Sequence, residues 1–551
     1  MTSDRLTHVM RPLRQGLRRL RERTQGRLHR LLPDQDHRLL AEGFDHGFYL
    51  AANPDVAKAG MEPLTHFLTY GWKEGRDPRP DFSVRDYAEL NPDVGLSGQN
   101  PFLHYLKSGQ AEGRLARHDL GFRHDVLADL PSLDVRLQRA AARWPQLRPT
   151  SGDPLAKALE TSRSGLRDLH VSVSHDDYTA HLGGLQICVQ REAAGLAAQG
   201  IDHLHLFPVD TFPTLRTGPE TSLIGGLWNG RPIGQFSAQT LAETLGRCLP
   251  KAGRRSLALH SLLGHSSSDI LQITEALEIR SGVFWLHDFA SLCAGFHLLR
   301  NDVADCGAPP PESPACGVCI YKPRRSLHVE EHRRVFEALA LTVLAPSASA
   351  LETWSQACDY PRAGAYVRPH ASLVPRDPVE VASPAGPLKI AFVGSPVPHK
   401  GWPVFQELAR RFAQDSRYAF LHFGPGGAGY GNISAHAVKV TSDQPSAMRD
   451  ALHQEGVDIA LVWPLCRETF SFTAYEAVAA GAVVLTGPDS GNVADFIETG
   501  GHGRVLADEA ALIGLFDSGE ALALSRAHRR PQLYDLVFSS LTAEPEVRPG
   551  S

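Results

Sequence analysis

From residue 168 onward the chain alternates short apolar, β-type runs with helical stretches, and it does so twice. That alternation limits the fold to parallel sheets with helices on both faces. The first series has a strand at 170–174 and a loop His181-Leu182-Gly183-Gly184. A helix through 191–196 follows, then strands at 204–207, 282–286 and 341–345. A stretch containing Pro and Gly comes next, and the rhythm restarts at Leu388-Lys389-Ile390-Ala391-Phe392-Val393-Gly394. The expected fold class is therefore α/β, with two facing Rossmann-like domains at 166–350 and 388–540 and a linker at 351–387. Open parallel sheets bind ligands at the carboxyl ends of their strands, so the cleft between two such domains is the expected site.

An internal repeat precedes the sheets. Phe44, Tyr49, Asn53-Pro54-Asp55-Val56, His66, Gly71 and Glu74-Gly75-Arg76 return as Phe82, Tyr87, Asn91-Pro92-Asp93-Val94, His104, Gly109 and Glu112-Gly113-Arg114. Each copy spells a short helix, an Asn-Pro-Asp turn, a second short helix and a glycine-bounded stop. Residues 41–118 are thus expected to form a small helical repeat module, with 119–165 as a mixed connector. His66 and His104 lie beside Leu and aromatic residues and read as packing groups rather than ligands.

Residues 1–40 are rich in arginine. Leu6, Met10, Leu13, Leu17 and Leu20 recur at helical spacing among Arg5, Arg11, Arg14, Arg18, Arg19 and Arg21. A basic amphipathic helix can lie on an anionic membrane surface, and peripheral contact through 1–32 is one reading. A solvated helix or a disordered tail has the same composition. A net charge of -5 gives no reason to expect nucleic acid as a partner. The sequence shows neither an apolar run of about 20 residues nor the apolar core of a signal peptide. The expectation is a cytoplasmic protein that can sit at the inner face of the membrane.

The most chemically informative segment is 457–487. Val457-Asp458-Ile459-Ala460-Leu461-Val462-Trp463-Pro464 reads as a buried strand with a proline stop. Glu468-Thr469-Phe470-Ser471 follows as a turn, then a helix over 472–480, closed by Gly481 before a strand at 482–485. The free N–H groups of a helix start near Ser471 would suit a diphosphate. Glu468 falls at the mouth of the sheet and Glu476 within the helix. Carboxylates accept only, which suits the hydroxyls of a sugar and a ribose.

Glu468-x7-Glu476 followed by Ala477-Val478-Ala479-Ala480-Gly481 resembles the paired-glutamate motif of the retaining group-1 glycosyltransferases, a family with the GT-B fold. Gly394 with His399-Lys400-Gly401 is similar to that family's Gly…Lys-Gly element. Gly491-Asn492-Val493-Ala494-Asp495 with Gly500-Gly501-His502-Gly503 resembles its closing Gly-rich segment. Gly183-Gly184 matches its N-terminal glycine pair, and His287-Asp288 the start of its acceptor-side loop. The repeats, too, resemble Asn-Pro-Asp-Val repeats fused to bacterial surface-polysaccharide glycosyltransferases.

The resemblance implies a nucleotide-sugar donor, a glycan or lipid-linked acceptor, and polysaccharide or lipopolysaccharide synthesis. It implies catalysis without a cofactor, with Lys400 neutralising the departing diphosphate, Glu468 orienting the donor sugar and His287 meeting a hydroxyl. Glu476 would hold the ribose, and Gly183, Gly184, Gly394, Thr469, Phe470 and Ser471 would complete the donor site. Two positions depart from the pattern: Ser395 where the family often has arginine, and Ser471 where glycine is common. They keep open a non-catalytic scaffold of the same fold, and a nucleotide-sugar epimerase is a further alternative.

The eight cysteines are unevenly spaced. Cys316-x-x-Cys319, with Cys293 and Cys306 upstream, has the count and one knuckle of a structural zinc site. Reduced thiols that pack a long loop are the other reading.

Overall fold

The computed structural model describes residues 34–142, 148–217, 223–376, 386–426 and 431–544. The basic segment 1–32 lies outside them. By internal contacts the chain divides into two compact units. One contains Met1–Asp125 with Phe405–Phe420 and Ala428–Ala435; the other contains Val126–Val404, Leu421–Gly427 and His436–Ser551.

In the first unit both sequence repeats build the same hydrogen-bond set. The helices His46–Ala52 and Val84–Leu90 each end at an asparagine whose amide returns to the tyrosine carbonyl four residues back, at 2.8 and 2.9 Å. A proline then starts the next helix, Pro54–Ala59 or Pro92–Gly95, where its missing N–H costs nothing. A third helical piece, absent from the sequence reading, follows in each copy and runs into a π-helical turn, Phe67–Gly71 or Tyr105–Gly109. Tyr49 Oη meets His66 Nδ1 at 2.8 Å, and Tyr87 Oη meets His104 Nδ1 at 2.9 Å. Arg76 and Arg114 clamp Asp55 and Asp93. The repeated His, Arg, Asn and Asp are therefore internal fasteners around a core that includes Leu40, Phe67, Phe82 and Phe102.

The second unit holds an eight-stranded sheet and most of a six-stranded one, both flanked by helices. The first has eight strands in the order Gly364–Val367, Ala340–Ala345, Ser281–Trp285, Arg254–Leu259, Asp168–Val173, Asp202–Pro208, Ile224–Trp228 and Arg231–Phe236. Pairing is parallel through Asp202–Pro208, and the last two strands are antiparallel. The central strands Asp202–Pro208, Arg254–Leu259 and Ser281–Trp285 are buried along most of their length, as strands covered by helices on both faces are. Leu133, Leu137, Leu155 and Leu159 of the connector join this core. The second sheet has six strands, with Leu388–Val393, Ile459–Leu461, Val483–Thr486 and Gly503–Val505 parallel and adjacent in that order. Two Rossmann-like domains thus make the α/β, GT-B architecture expected from the sequence.

Two expectations need correction. The stretch 351–387 is not a plain linker. It continues the helix Ala348–Ala357, capped by Ser347, and then supplies the edge strand Gly364–Val367 of the first sheet. The next strand, Ala371–Pro375, pairs antiparallel with Tyr534–Phe538 near the end of the second domain. Beyond it, Leu541, Thr542 and Ala543 are buried and return to the first domain, where Trp285 Nε1 donates to Thr542 Oγ1 at 2.9 Å. The strand expected over 457–464 is laddered only at Ile459–Leu461, because the run to Pro464 turns off to form the cleft. Among the described residues no helix is long and apolar enough to cross a membrane.

Candidate functional site

The cleft of the second unit contains a cavity of about 530 Å³, a size that suits a small-molecule ligand. Gly183, Gly184, His287, Gly394, Lys400, Glu468, Thr469, Phe470, Ser471 and Glu476 all line it. These residues come from five separated chain segments, so the topology brings together what spacing alone could only suggest. Asp176, Asp177 and His181, which lie between the first strand and the Gly183-Gly184 pair, do not line it. Asp176 instead accepts from Gln186 at 2.7 Å.

Lys400 ends a single 3₁₀ turn, Pro398–Lys400, after the strand Leu388–Val393. Gly401 lets the chain turn there: its φ is +84°, and a Cβ would stand 1.9 Å from the Trp463 carbonyl oxygen. The turn is tied to the segment carrying the glutamates, since Leu465 N–H donates to His399 O at 2.9 Å. Lys400 Nζ donates to Glu468 Oε1 at 2.5 Å. Burial would lower the ammonium's pKa, but the facing carboxylate outweighs it and the pKa is raised. The lysine is thus held charged at the cavity wall.

The loop 468–471 is fastened from both sides. Glu468 N–H donates to Ser490 O, and Asn492 N–H donates to Glu468 O at 2.9 Å. Asn492 Nδ2 donates to Phe470 O at 2.8 Å. Gly491, at φ +63°, allows the close approach, because a Cβ there would meet Glu468 O at 2.7 Å. From the first domain, Ser347 Oγ donates to Thr469 O, while Thr469 Oγ1 donates to His287 O, each at 2.8 Å. Ser471 precedes the helix Phe472–Ala479 at φ +73°, in the left-handed region that favours glycine. The departure from glycine here is therefore a strained one.

Glu476 lies inside that helix and is buried. Burial pushes its carboxyl up to about 8, and the Arg191 guanidinium offsets this only in part. Arg191 itself is pulled down to about 10 by burial, lies over the Phe538 ring, and has Nη1 buried without a partner. Arg191, Lys439 and Arg467 also line the cavity, and Arg467 is spent on a two-pronged pair with Asp305 at 2.9 Å. Sequence reasoning missed Arg191, although it follows the Gly183-Gly184 pair on the same helix, Gly184–Ala198.

His287 differs from its expected role. Both ring nitrogens are engaged by other histidines: Nε2 with His260 Nδ1 at 2.9 Å, and Nδ1 with His370 Nε2 at 3.1 Å. It therefore has no nitrogen left for a ligand hydroxyl, and burial beside these rings holds its pKa well below the usual range. His370 and His297 are further cavity residues that the sequence did not signal.

The four clustered cysteines lie elsewhere. Cys293, Cys306, Cys316 and Cys319 line one small separate cavity with Arg325, whose Nη1 donates to Cys316 Sγ at 2.8 Å. All four are free thiols. Among the described residues, the groups of three whose ligand atoms lie within 4.8 Å of one another are others: Cys188, His287 and His370, and Asp86, His118 and His124.

No family model matches the sequence, and no curated protein matches it. Some solved structures resemble it distantly. The chain is similar to Anabaena Alr3699/HepE, crystallised with UDP-glucose, at 13% identity over 69% of this chain and 98% of that one, with a TM-score of 0.38. It is similar to a glycosyltransferase from Rickettsia africae ESF-5 at 11% identity over 66% and 91% of the two chains, with a TM-score of 0.39. An α,α-trehalose-phosphate synthase (UDP-forming) from Burkholderia xenovorans, in complex with glucose-6-phosphate, gives 12%, 66%, 92% and 0.35. Likeness at this level leaves the chemistry to the residues of the cleft.

Proposed function

We propose that this protein is a retaining glycosyltransferase that moves a sugar from a nucleotide-sugar donor to a glycan or lipid-linked acceptor in bacterial surface-polysaccharide synthesis. The observation that carries the reading is the convergence of Lys400, Glu468, the start of the helix Phe472–Ala479 and Glu476 on one cavity. That set offers a cation and helix N–H groups for a diphosphate, and the Glu468 carboxylate and Glu476 carboxyl for hydroxyls. In this reading Lys400 and Arg191 flank the phosphates. The paired Lys400 and Glu468 then exchange partners when the donor enters, the lysine turning to the diphosphate and the carboxylate to the sugar. Positioned cations of this kind stabilise charge that develops on the leaving group.

Retention is tested on the product. Proton NMR of the fresh glycoside should show the anomeric configuration of the donor; the opposite configuration would remove the retaining assignment.

For the cysteine cavity we propose the structural zinc suggested by the spacing. Its support is that all four thiols line one cavity beside the Arg325 cation, which would balance part of a four-thiolate charge. Metal analysis of the purified protein should find about one zinc per chain, lost in the Cys316→Ser, Cys319→Ser double variant. Folded, zinc-free wild type would overturn this proposal.

A further inference from the structure

A line of buried side chains leads from the core of the first domain to the cleft. Glu192 is fully buried and its Oε2 meets His260 Nε2 at 2.9 Å. His260 Nδ1 meets His287 Nε2 at 2.9 Å, and His287 Nδ1 meets His370 Nε2 at 3.1 Å. The ring centroids are 5.1 and 4.9 Å apart with interplanar angles of 26° and 27°, so the imidazoles meet edge to edge rather than face to face. His370 is 3% exposed, and its remaining nitrogen, Nδ1, is buried without a partner.

Each link has one hydrogen, which gives the line a direction. Glu192 is an acceptor, because His260 and His170 outweigh its burial and hold the carboxyl well below the usual range. His260 must then carry its proton on Nε2. If His260 is neutral, its Nδ1 accepts from His287 Nε2–H, and His287 Nδ1 accepts from His370 Nε2–H. The line then ends in a bare lone pair at His370 Nδ1. If His260 is an imidazolium, it still donates to Glu192, both His–His links reverse, and His370 Nδ1 carries a hydrogen. The two states differ by one proton, and both satisfy every internal link.

We propose that Glu192, His260, His287 and His370 form a proton relay whose outlet is His370 Nδ1 and whose store is the Glu192–His260 pair. The step balances as follows. A hydroxyl at the cleft wall gives its proton to His370 Nδ1, and the His370 Nε2 proton passes to His287 Nδ1. The His287 Nε2 proton passes to His260 Nδ1, leaving an imidazolium beside the Glu192 carboxylate. Neither inner ring keeps the charge: burial pulls His370 down to about 3, with His260 and Arg191 adding to the effect, and His287 is depressed as well. His370 is the catalytic residue of the relay, and Glu192 and His260 position it. That the hydroxyl belongs to an acceptor rests on the glycosyl-transfer reading; the relay itself does not.

The charged and titratable groups facing the line are His170 at Glu192, Cys188 and His175 at His287, and Arg191 at His370. Cys188 could instead complete a metal site with His287 and His370. Both nitrogens of His287 already pair with other histidines, which leaves neither free for a metal and argues against that site.

The test is ¹⁵N NMR of histidine-labelled full-length protein, assigned with single-histidine variants. At pH 9 the wild type should show His260, His287 and His370 all with hydrogen on Nε2. Gain of one proton by the line should flip His287 and His370 together. Glu192→Gln should fix the reversed state. Thr542 N–H, which donates to Glu192 Oε1 at 3.2 Å, would keep the amide oxygen and turn the amide nitrogen toward His260. Mixed tautomers in the wild type, independent titration of the rings, or a chelatable metal on His287 and His370 would overturn the relay. The wild-type titration decides even if the variant fails to fold. A correct relay in a protein that transfers no sugar would leave this inference standing and remove only the function.

Discussion

Glu476→Gln is expected to stabilise the ligand-free protein, increasingly as the pH rises above about 4.5 and fully above about 8. The carboxyl has a folded pKa of about 8 against about 4.5 for a free glutamate. Below the lower value both folded and unfolded chains hold the proton, and burial carries no electrostatic penalty. As pH rises through that window the unfolded chain ionises first, so the wild type loses stability until the loss is complete above about pH 8. Glutamine is neutral throughout. The difference in unfolding free energy should therefore be small near pH 4.5 and reach on the order of 4 kcal/mol at pH 9. A nucleoside diphosphate whose ribose donates to the ionised Glu476 would recover part of this loss in the wild type alone. Chemical unfolding at a series of pH values checks the prediction, and two parallel stability curves would contradict it.

Gly401→Ala is expected to be the most damaging glycine substitution near the site. Its φ of +84° is one cost, shared by many glycines. The second is particular to this position, because the new Cβ would stand 1.9 Å from the backbone oxygen of Trp463, which cannot rotate away. Relief requires moving the turn that carries Lys400. A loss of about 3 kcal/mol is expected, together with loss of ligand binding at the cleft. Gly501→Ala is the control: φ is +63° with open space around the Cβ, so only about 1 kcal/mol should be lost. Thermal or urea unfolding of both variants provides the comparison, and equal losses would show that the Trp463 approach does not constrain the turn.

The parts of the fold legible in the sequence are those with local signals. The strand–turn–helix–strand run around Glu468 and Glu476 has a proline stop, a clear helix and a Gly481 break, and the structure follows it to within a few residues. The antiparallel pair Ile224–Trp228 and Arg231–Phe236 was not legible: one strand carries Gly225-Gly226, and the other is mostly exposed. Gly364–Val367 escaped for a related reason, since an edge strand with exposed Tyr366 and Val367 shows no buried face. Arg254–Leu259 opens on two arginines that hide its buried end.

The site divides in the same way. Gly394, Lys400, Glu468 and Glu476 sit in local sequence motifs and are legible from them. Glu192, His260 and His370 are joined only through space, and nothing about a lone histidine in a sequence reveals that its neighbour is another. His287 was legible as a residue of the cleft but not as a link in a chain, because its partners lie 27 and 83 residues away.

The central claim is tested most directly by nucleoside diphosphate release. The full-length protein is offered a panel of nucleotide sugars with glycan and lipid-linked acceptors, beside Glu468→Ala and Lys400→Ala. The expected result is turnover of one donor, reduced by roughly 100-fold or more in each variant. Folded wild-type protein that neither binds nor turns over any donor, or variants that match the wild type, would contradict the account and favour a non-catalytic scaffold.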